Sequence, residues 1–193
     1  VLPYAQTNRD FPALLDFMGV SQMNSTDKPF EWSPRPSAMP LVTAGQQPVF
    51  ADDRAAFQAF FQTNLDFRQI VILPPEAREK ITATRQAAAR VLNATFADQV
   101  VSLQTEARAP SLVVISQSHY PAWKAYVDGQ PVTIWRANYA FQALQVPAGE
   151  HRVQLVYEDT KLKVGAVLSG VGLLTCAVLW LLAHRRKNTT DSG

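Results

Sequence analysis

Apolar and polar residues alternate with a period of two along the second half of the chain. From Ala89 onward, ARVLNATF, QVVSLQTEA, SLVVISQS, WKAYVDG, PVTIWRA, YAFQALQVP and HRVQLVYE follow one another with turn residues between them. Alternation is clearest in QVVSLQT, TIWRA and HRVQLVY, and a period of two puts successive side chains on opposite faces of a strand. Asp128-Gly129 is a hairpin signal of the kind that accepts positive φ at both central positions. Pro147-Ala148-Gly149 marks another turn. Seven short strands at this spacing predict a mainly β fold, an antiparallel, jelly-roll-like β-sandwich rather than βαβ units.

The first half is less regular. Val1 to Arg9 reads as a linker, and Phe11 to Met18 as a short helix with Asp10 as N-cap, Pro12 in its first turn and Gly19 at its end. Asn24 to Lys28 is turn-like. Pro34, Pro36, Pro40 and Pro48 break the apolar stretches PFEWSPRP and SAMPLVTAG, as expected of edge strands or strand ends. Phe57, Phe60 and Phe61 recur at helical spacing behind Asp52-Asp53, which predicts a second short amphipathic helix with an acidic cap. RQIVILP, Arg68 to Pro74, predicts a strand with a buried centre. Pro75 to Ala88 is charged, Ala-rich and helix-compatible, and reads as a surface excursion.

Periodicity disappears at the C-terminus. Val164 to Ala183 runs for twenty residues without a charge. At about 1.5 Å per residue, a helix of that length covers the roughly 30 Å of a bilayer's hydrocarbon core. His184, Arg185, Arg186 and Lys187 follow at once, and the positive-inside rule then places the C-terminus in the cytoplasm and the preceding body outside it. Lys161 and Lys163 stand at the opposite end, where they can snorkel to the outer head groups. The alternative, a buried core helix, conflicts with the lack of a polar face. Gly165 and Ser169, like Ala166 and Gly170, are spaced to let membrane helices approach closely, although such residues are common in any membrane helix. Cys176 lies mid-span and reads as a small apolar filler. The last strand reaches the span within a few residues, so the sandwich is expected near the membrane surface. The predicted division is a linker with a short helix over 1–28, an extracytoplasmic sandwich over 29–160, a transmembrane helix over 161–184 and a basic cytoplasmic tail over 185–193.

Composition sharpens this picture. The 193 residues carry 18 Lys+Arg and 16 Asp+Glu, and the whole excess of +2 belongs to the tail. A neutral body argues against a nucleic-acid partner. A single Cys rules out an internal disulfide and a Cys-built metal site. Starting at Val1 rather than Met, the chain is expected to be a processed protein or a piece of a longer one. His119, His151 and His184 are isolated, no GxSxG elbow surrounds Ser111, Ser116 or Ser118, and the carboxylate pairs Asp52-Asp53 and Glu158-Asp159 read as caps or solvated turns. No catalytic, cofactor-binding or metal-binding residue is assigned, and no cofactor is expected. Asn24-Ser25-Thr26 and Asn93-Ala94-Thr95 match the glycosylation sequon, which matters only in a eukaryotic host.

The aromatic cluster is the remaining candidate. Tyr120, Trp123, Tyr126, Trp135, Tyr139 and Phe141 fall close together, on what read as two or three adjacent strands. Two readings stay open: core and membrane-proximal packing, or an exposed platform on which sugar rings stack. Trp123 and Tyr126 are three apart, so in an ideal strand they point to opposite faces and one of them faces outward. Trp123, Tyr126, Trp135 and Tyr139 are the candidate glycan contacts.

The segment HYPAWKAYVDGQPVTIWRANYAFQALQVPAGEHRVQLVY, His119 to Tyr157, with one membrane helix and a basic tail after it, resembles the C-terminal end of the YfhO family of bacterial membrane proteins. Pro121, Trp123, Lys124, Asp128, Gly129, Asn138, Tyr139, Gly149, Glu150 and His151 match that pattern, while Ala122 replaces a usual Gly and Glu158-Asp159-Thr160 replaces a common Tyr-x-Pro. Upstream, Leu14 to Val20 and, more loosely, Pro34 to Val42 are similar to stretches that enter this domain. The resemblance implies a polytopic parent of the GT-C glycosyltransferase type, which transfers a sugar from a polyprenyl-phosphate carrier to an envelope glycan. It implies that this chain is the parent's C-terminal accessory domain plus its last membrane helix. The implied partners are the lipid bilayer, the parent's other membrane helices, and a polyprenyl-linked sugar or envelope glycan. The catalytic acid of such enzymes lies in an early loop with no counterpart here. The rival reading is a free-standing, single-span binding or structural module.

Overall fold

The computed structural model describes residues 12–24, 30–60 and 65–190, with side chains described as far as Trp180. The expected linker, Asp10 as a cap, Phe61, most of the Asn24–Lys28 turn and the side chains of the basic cluster lie outside the described residues. Two compact units divide at Tyr157/Glu158.

The first unit is built on two antiparallel sheets. One has five strands in the order β10-β9-β13-β7-β6: β6 (Ala89–Ala97), β7 (Val100–Ala107), β9 (Trp123–Val127), β10 (Gln130–Val132) and β13 (Gly149–Tyr157). The other has four in the order β11-β12-β8-β3: β3 (Val42–Ala44), β8 (Ser111–Ile115), β11 (Trp135–Ala137) and β12 (Phe141–Val146). The arms β7–β8 and β12–β13 each step from one sheet to the other and pair with each other in both, which gives the sandwich its jelly-roll character. Between the sheets lie Val101, Leu103, Val153 and Leu155 on one side and Val113, Ile115, Leu144 and Val146 on the other.

The four-stranded sheet is buried on both faces. Every residue of β8 is buried, and Leu112 and Val114 turn away from the sandwich into a second apolar layer. A parallel pair, β4 (Gln47–Phe50) with β5 (Ile70–Leu73), belongs to that layer. So do Phe17 of α1 (Pro12–Phe17) and Ala56 and Ala59 of α2 (Asp53–Ala59). Each such Val, Leu or Ile contributes about 1.5–3 kcal/mol by leaving water. A small arm of β1 (Gln22–Asn24) and β2 (Trp32–Pro34) is tied to α1 through Arg35, which donates to Asp16 at 2.6 Å. Ser37 donates to the same carboxylate at 2.7 Å.

Local signals hold at the turns and caps. Asp128 and Gly129 adopt φ of 50° and 81°, which sets the β9–β10 hairpin. Gly19 ends α1 at φ 70°, and Asp52 caps α2 by accepting from the Ala55 N–H at 2.8 Å.

Other expectations are corrected. The β4–α2–β5 run is a parallel βαβ unit inside a mainly antiparallel fold, because β5 must lie beneath β11 to cover the four-stranded sheet. The buried face of α2 is Ala56, Ala59 and its cap residue Phe60; Phe57 points outward against Tyr139, with ring centroids 5.2 Å apart. Pro75–Ala88 is not a helix, although most of its residues are exposed, as a surface excursion requires. After one 3-10 turn at Pro75–Ala77 it runs irregularly, burying Ala77, Ile81 and Ala83. Its Thr82 and Ala83 N–H groups donate to Gln145 Oε1 at 2.7 and 3.0 Å. PVTIWRA is two strands rather than one, since the chain changes sheets between Val132 and Trp135.

The β11–β12 turn is the joint between layers. Asn138 N–H donates to Ile72 O and Asn138 Oδ1 accepts from Ile72 N–H, both at 2.8 Å, so one residue clasps both polar groups of a β5 residue. Asn138 and Tyr139 have φ of 45° and 69°, a region Asn tolerates and Tyr rarely enters. The second unit is α3 (Thr160–Thr190), capped by Asp159, whose Oδ1 accepts from Leu162 N–H at 3.0 Å. Its Thr160–Trp180 segment is long and apolar enough to cross a membrane, with a mean hydropathy of 2.0. Within it the Thr175 hydroxyl donates to Val171 O at 2.8 Å, so that polar group is satisfied inside the helix.

Asn138→Ala removes a buried acceptor and leaves the Ile72 N–H without its partner. It is expected to lower unfolding stability by about 1–3 kcal/mol. Denaturant unfolding of the detergent-solubilised chain measures this, and an unchanged midpoint would show that the clasp contributes nothing.

Candidate functional site

The candidate aromatic residues do not share one surface. Trp123 and Tyr126 sit on β9 in the five-stranded sheet, whereas Trp135 sits on β11 and Tyr139 in the turn after it, on the four-stranded sheet. The expectation of adjacent strands is corrected here, and the cause is the sheet change after Val132. Trp135 is half-buried against the second apolar layer, with Lys80 Nζ 5.7 Å from its ring centroid. Tyr139 packs on Phe57, and Phe141 meets Phe17 edge-on at 4.8 Å.

On β9 the alternation decides orientation. Ala125 and Val127 are buried between the sheets and Trp123 joins them, while Lys124 and Tyr126 take the outer face. Trp123 is not fully covered. Its ring meets Tyr157 edge-on at 5.4 Å, and Tyr120 stacks on the same Tyr157 at 6.1 Å. Tyr157 belongs to this group through the β9–β13 register, which sets it opposite Trp123. Sequence reasoning placed Tyr157 at the end of the last strand but had no signal that the strand ends beside Trp123.

Beside Tyr120 and Trp123 lies a pocket of about 300 Å³, lined also by His119, Lys124, Tyr126, Pro131 and Val132 of β10, and the β10–β11 link Thr133–Ile134. His119 is held in place by its N–H, which donates to Ala140 O at 2.7 Å. Burial, and then the nearby Arg136 guanidinium, push the His119 imidazole below its usual pKa, so it is neutral at pH 7. The pocket thus offers apolar ring faces, phenol hydroxyls, one ammonium and a neutral imidazole. That set suits a neutral or anionic polyhydroxyl ligand.

A second polar concavity, of about 540 Å³, lies by the β9–β10 hairpin. There His151 Nδ1 is 2.6 Å from Asp128 Oδ2 and its Nε2 is 3.2 Å from Ala148 O. Asp128 Oδ1 also accepts from Arg152 N–H at 2.9 Å. Both ring nitrogens face acceptors, an arrangement that favours imidazolium. The hydrogen bond to Asp128 is the main cause that raises the His151 pKa, and the same bond lowers that of Asp128. The pair is a clamp on the hairpin, since neither ring nitrogen is left for a reacting group. Among the described residues no three His, Cys, Asp or Glu side chains gather as a metal site.

A β-sandwich continued by a helix fit to cross a bilayer defines a membrane-associated protein. The family described as bacterial membrane protein YfhO matches residues 56–169, more than half of the chain, and the chain belongs to that family. The match runs from α2 through the sandwich into α3, across the boundary between the two units. No curated protein and no solved structure matches the chain.

The clamp gives a pH dependence of defined sign. A raised His151 pKa means its contribution is complete below about pH 6.5, the unfolded value, and fades as pH rises through the folded one. A lowered Asp128 pKa means its contribution holds above the ordinary carboxylate range and fades as pH falls through the folded value. Stability should therefore decline as pH rises above about 6.5. An NMR titration should place His151 above 6.5 and move it down in Asp128→Asn. A His151 value that does not respond to that substitution would contradict the clamp.

Proposed function

We propose that this chain is the C-terminal accessory domain and last membrane helix of a polytopic glycosyltransferase, which moves a sugar from a polyprenyl-phosphate carrier to an envelope glycan. In this reading the sandwich stands on the extracytoplasmic side and Arg185, Arg186 and Lys187 hold the C-terminus in the cytoplasm. Its partners are the lipid bilayer, the parent's other membrane helices and the acceptor glycan. Family membership supports the membrane setting.

The observation that carries the glycan role is the pocket beside β9. Tyr120, Trp123 and Tyr126 present partly exposed rings around a 300 Å³ space, with Lys124 and His119 at its wall. Ring faces pack on the C–H faces of a pyranose, and the polar groups take its hydroxyls. Only Glu158 and Asp159 separate the Tyr157 end of β13 from Thr160 along the chain. Trp135, half-buried against the second apolar layer, and Tyr139, exposed but packed on Phe57, support the domain rather than contact sugar in this reading.

Trp123→Ala and Tyr126→Ala in the intact parent should each reduce transfer about 2–10-fold, the size of one aromatic contact of about 0.5–1.5 kcal/mol. Tyr126 is the cleaner probe, because it faces outward and its loss should leave protein abundance unchanged. Lower abundance with unchanged transfer per molecule would instead support a purely structural cap.

A further inference from the structure

The pairing registers of the five-stranded sheet set its outward side chains in rows that cross the strands. One row runs Thr95, Ser102, Gln154, Tyr126, Pro131, with one residue from each of β6, β7, β13, β9 and β10. All five are exposed or partly exposed, and none is charged. With strands about 4.8 Å apart, the row is about 19 Å long.

The rows on either side of it differ from each other. Asn93, Gln104 and Arg152 stand along one side and offer amide and guanidinium groups. Val100 and Val156 stand along the other and offer methyl groups, with Lys124 at the β9 end. Ser102 is the smallest side chain of the middle row. The surface sinks beside it into a trough of about 140 Å³, walled by Asn93, Thr95, Gln104 and Arg152. At its other end the row reaches Tyr126, which also lines the pocket beside Trp123. The trough and that pocket thus lie along one line of residues.

We infer that this row is the seat of an extended, uncharged stretch of glycan chain, laid across the strands with one end at the Tyr126 pocket. The inference rests on the glycan role proposed above and adds the path of the chain. Three features select this occupant. Hydroxyl and amide side chains both donate and accept, as sugar hydroxyls do, whereas a charged peptide or a nucleic acid would meet no counter-charge within the row. The unlike walls match the two aspects of a pyranose, with Asn93, Gln104 and Arg152 toward its hydroxyls and Val100 and Val156 toward its C–H groups. The Tyr126 ring then supplies a stacking face at the pocket end.

The test follows the full chain, in nonionic detergent, through native gels containing the polysaccharide fraction of the source's own envelope. Retardation is expected, and it should persist from about 50 to about 500 mM salt, because hydroxyl recognition is not screened as charge contacts are. Partial hydrolysates should compete only when long enough to cross the sheet. Ser102→Tyr fills the trough from a partly exposed position with a residue that strands favour, so the circular dichroism spectrum should be retained. It should weaken retardation about tenfold, and Gln154→Ala about 2–10-fold, while Gln130→Ala, outside the row, should leave it unchanged. Retardation that survives Ser102→Tyr but is lost in Trp123→Ala would confine binding to the pocket, overturning the extended seat and sparing the proposed function. Monosaccharides that compete as well as long fragments would do the same. Retardation abolished by salt would show a charge contact and overturn the seat. No retardation at all would overturn it too, and the transfer assay on Trp123→Ala would then judge the proposed function separately.

Discussion

The structure depends on burying the four-stranded sheet from both sides. β8 is its pivot: Val113 and Ile115 point into the sandwich, Leu112 and Val114 into the layer of β4, β5 and α2, and all are essentially inaccessible to solvent. A sheet with two apolar faces needs two covers. The five-stranded sheet provides one. The other is assembled from the first half of the chain, which explains why residues as far apart as Phe17, Ile81 and Ala143 share one cluster. Asn138 locks that cover in place by hydrogen bonding rather than by apolar contact, and so it also fixes where β11 and Tyr139 sit.

The same constraint sorts the aromatic residues. Those attached to the doubly covered sheet, Trp135 and Phe141, are absorbed into packing. Those on the five-stranded sheet have one face of the sheet open to solvent, so Tyr126 stays on the surface and Trp123 keeps a partly open edge. The pocket forms where β9, the β10–β11 link and the loop bearing His119 meet. Its position therefore follows from the sheet change after Val132, the step that also leaves β10 and β11 so short.

Much of this was legible in the sequence. Alternation located the strands from Ala89 onward except that β10 and β11 read as one, and Asp128-Gly129 specified its turn because few residues tolerate positive φ at two successive positions. Asp52 and Asp159 read as caps, and each accepts from a helix N–H. The 39-residue stretch from His119 and the uncharged span behind it were enough to name the family. What stayed hidden depends on contacts remote in sequence. SLVVI has the same apolar run whether one face or two are covered. Phe57 fits a helical stripe, yet small Ala56 and Ala59 take the crowded side and the large ring goes to Tyr139. Pro75–Ala88 has helical composition, but its Thr82 and Ala83 N–H groups are claimed by Gln145 from a distant strand. Alternation also continues smoothly across Val132–Trp135, so it could not show that the chain changes sheets there, nor separate Trp123 from Trp135.

The proposed role requires the sandwich and the basic tail to lie on opposite sides of the membrane, and side-specific thiol labelling tests that requirement directly. In a Cys176→Ala background, a membrane-impermeant maleimide would be applied to intact source cells carrying the parent with Arg152→Cys on the exposed sheet face or Asn188→Cys in the tail. The account predicts that residue 152 labels on intact cells and residue 188 only after permeabilisation. Labelling of residue 188 on intact cells, with residue 152 protected until the membrane is opened, would contradict it.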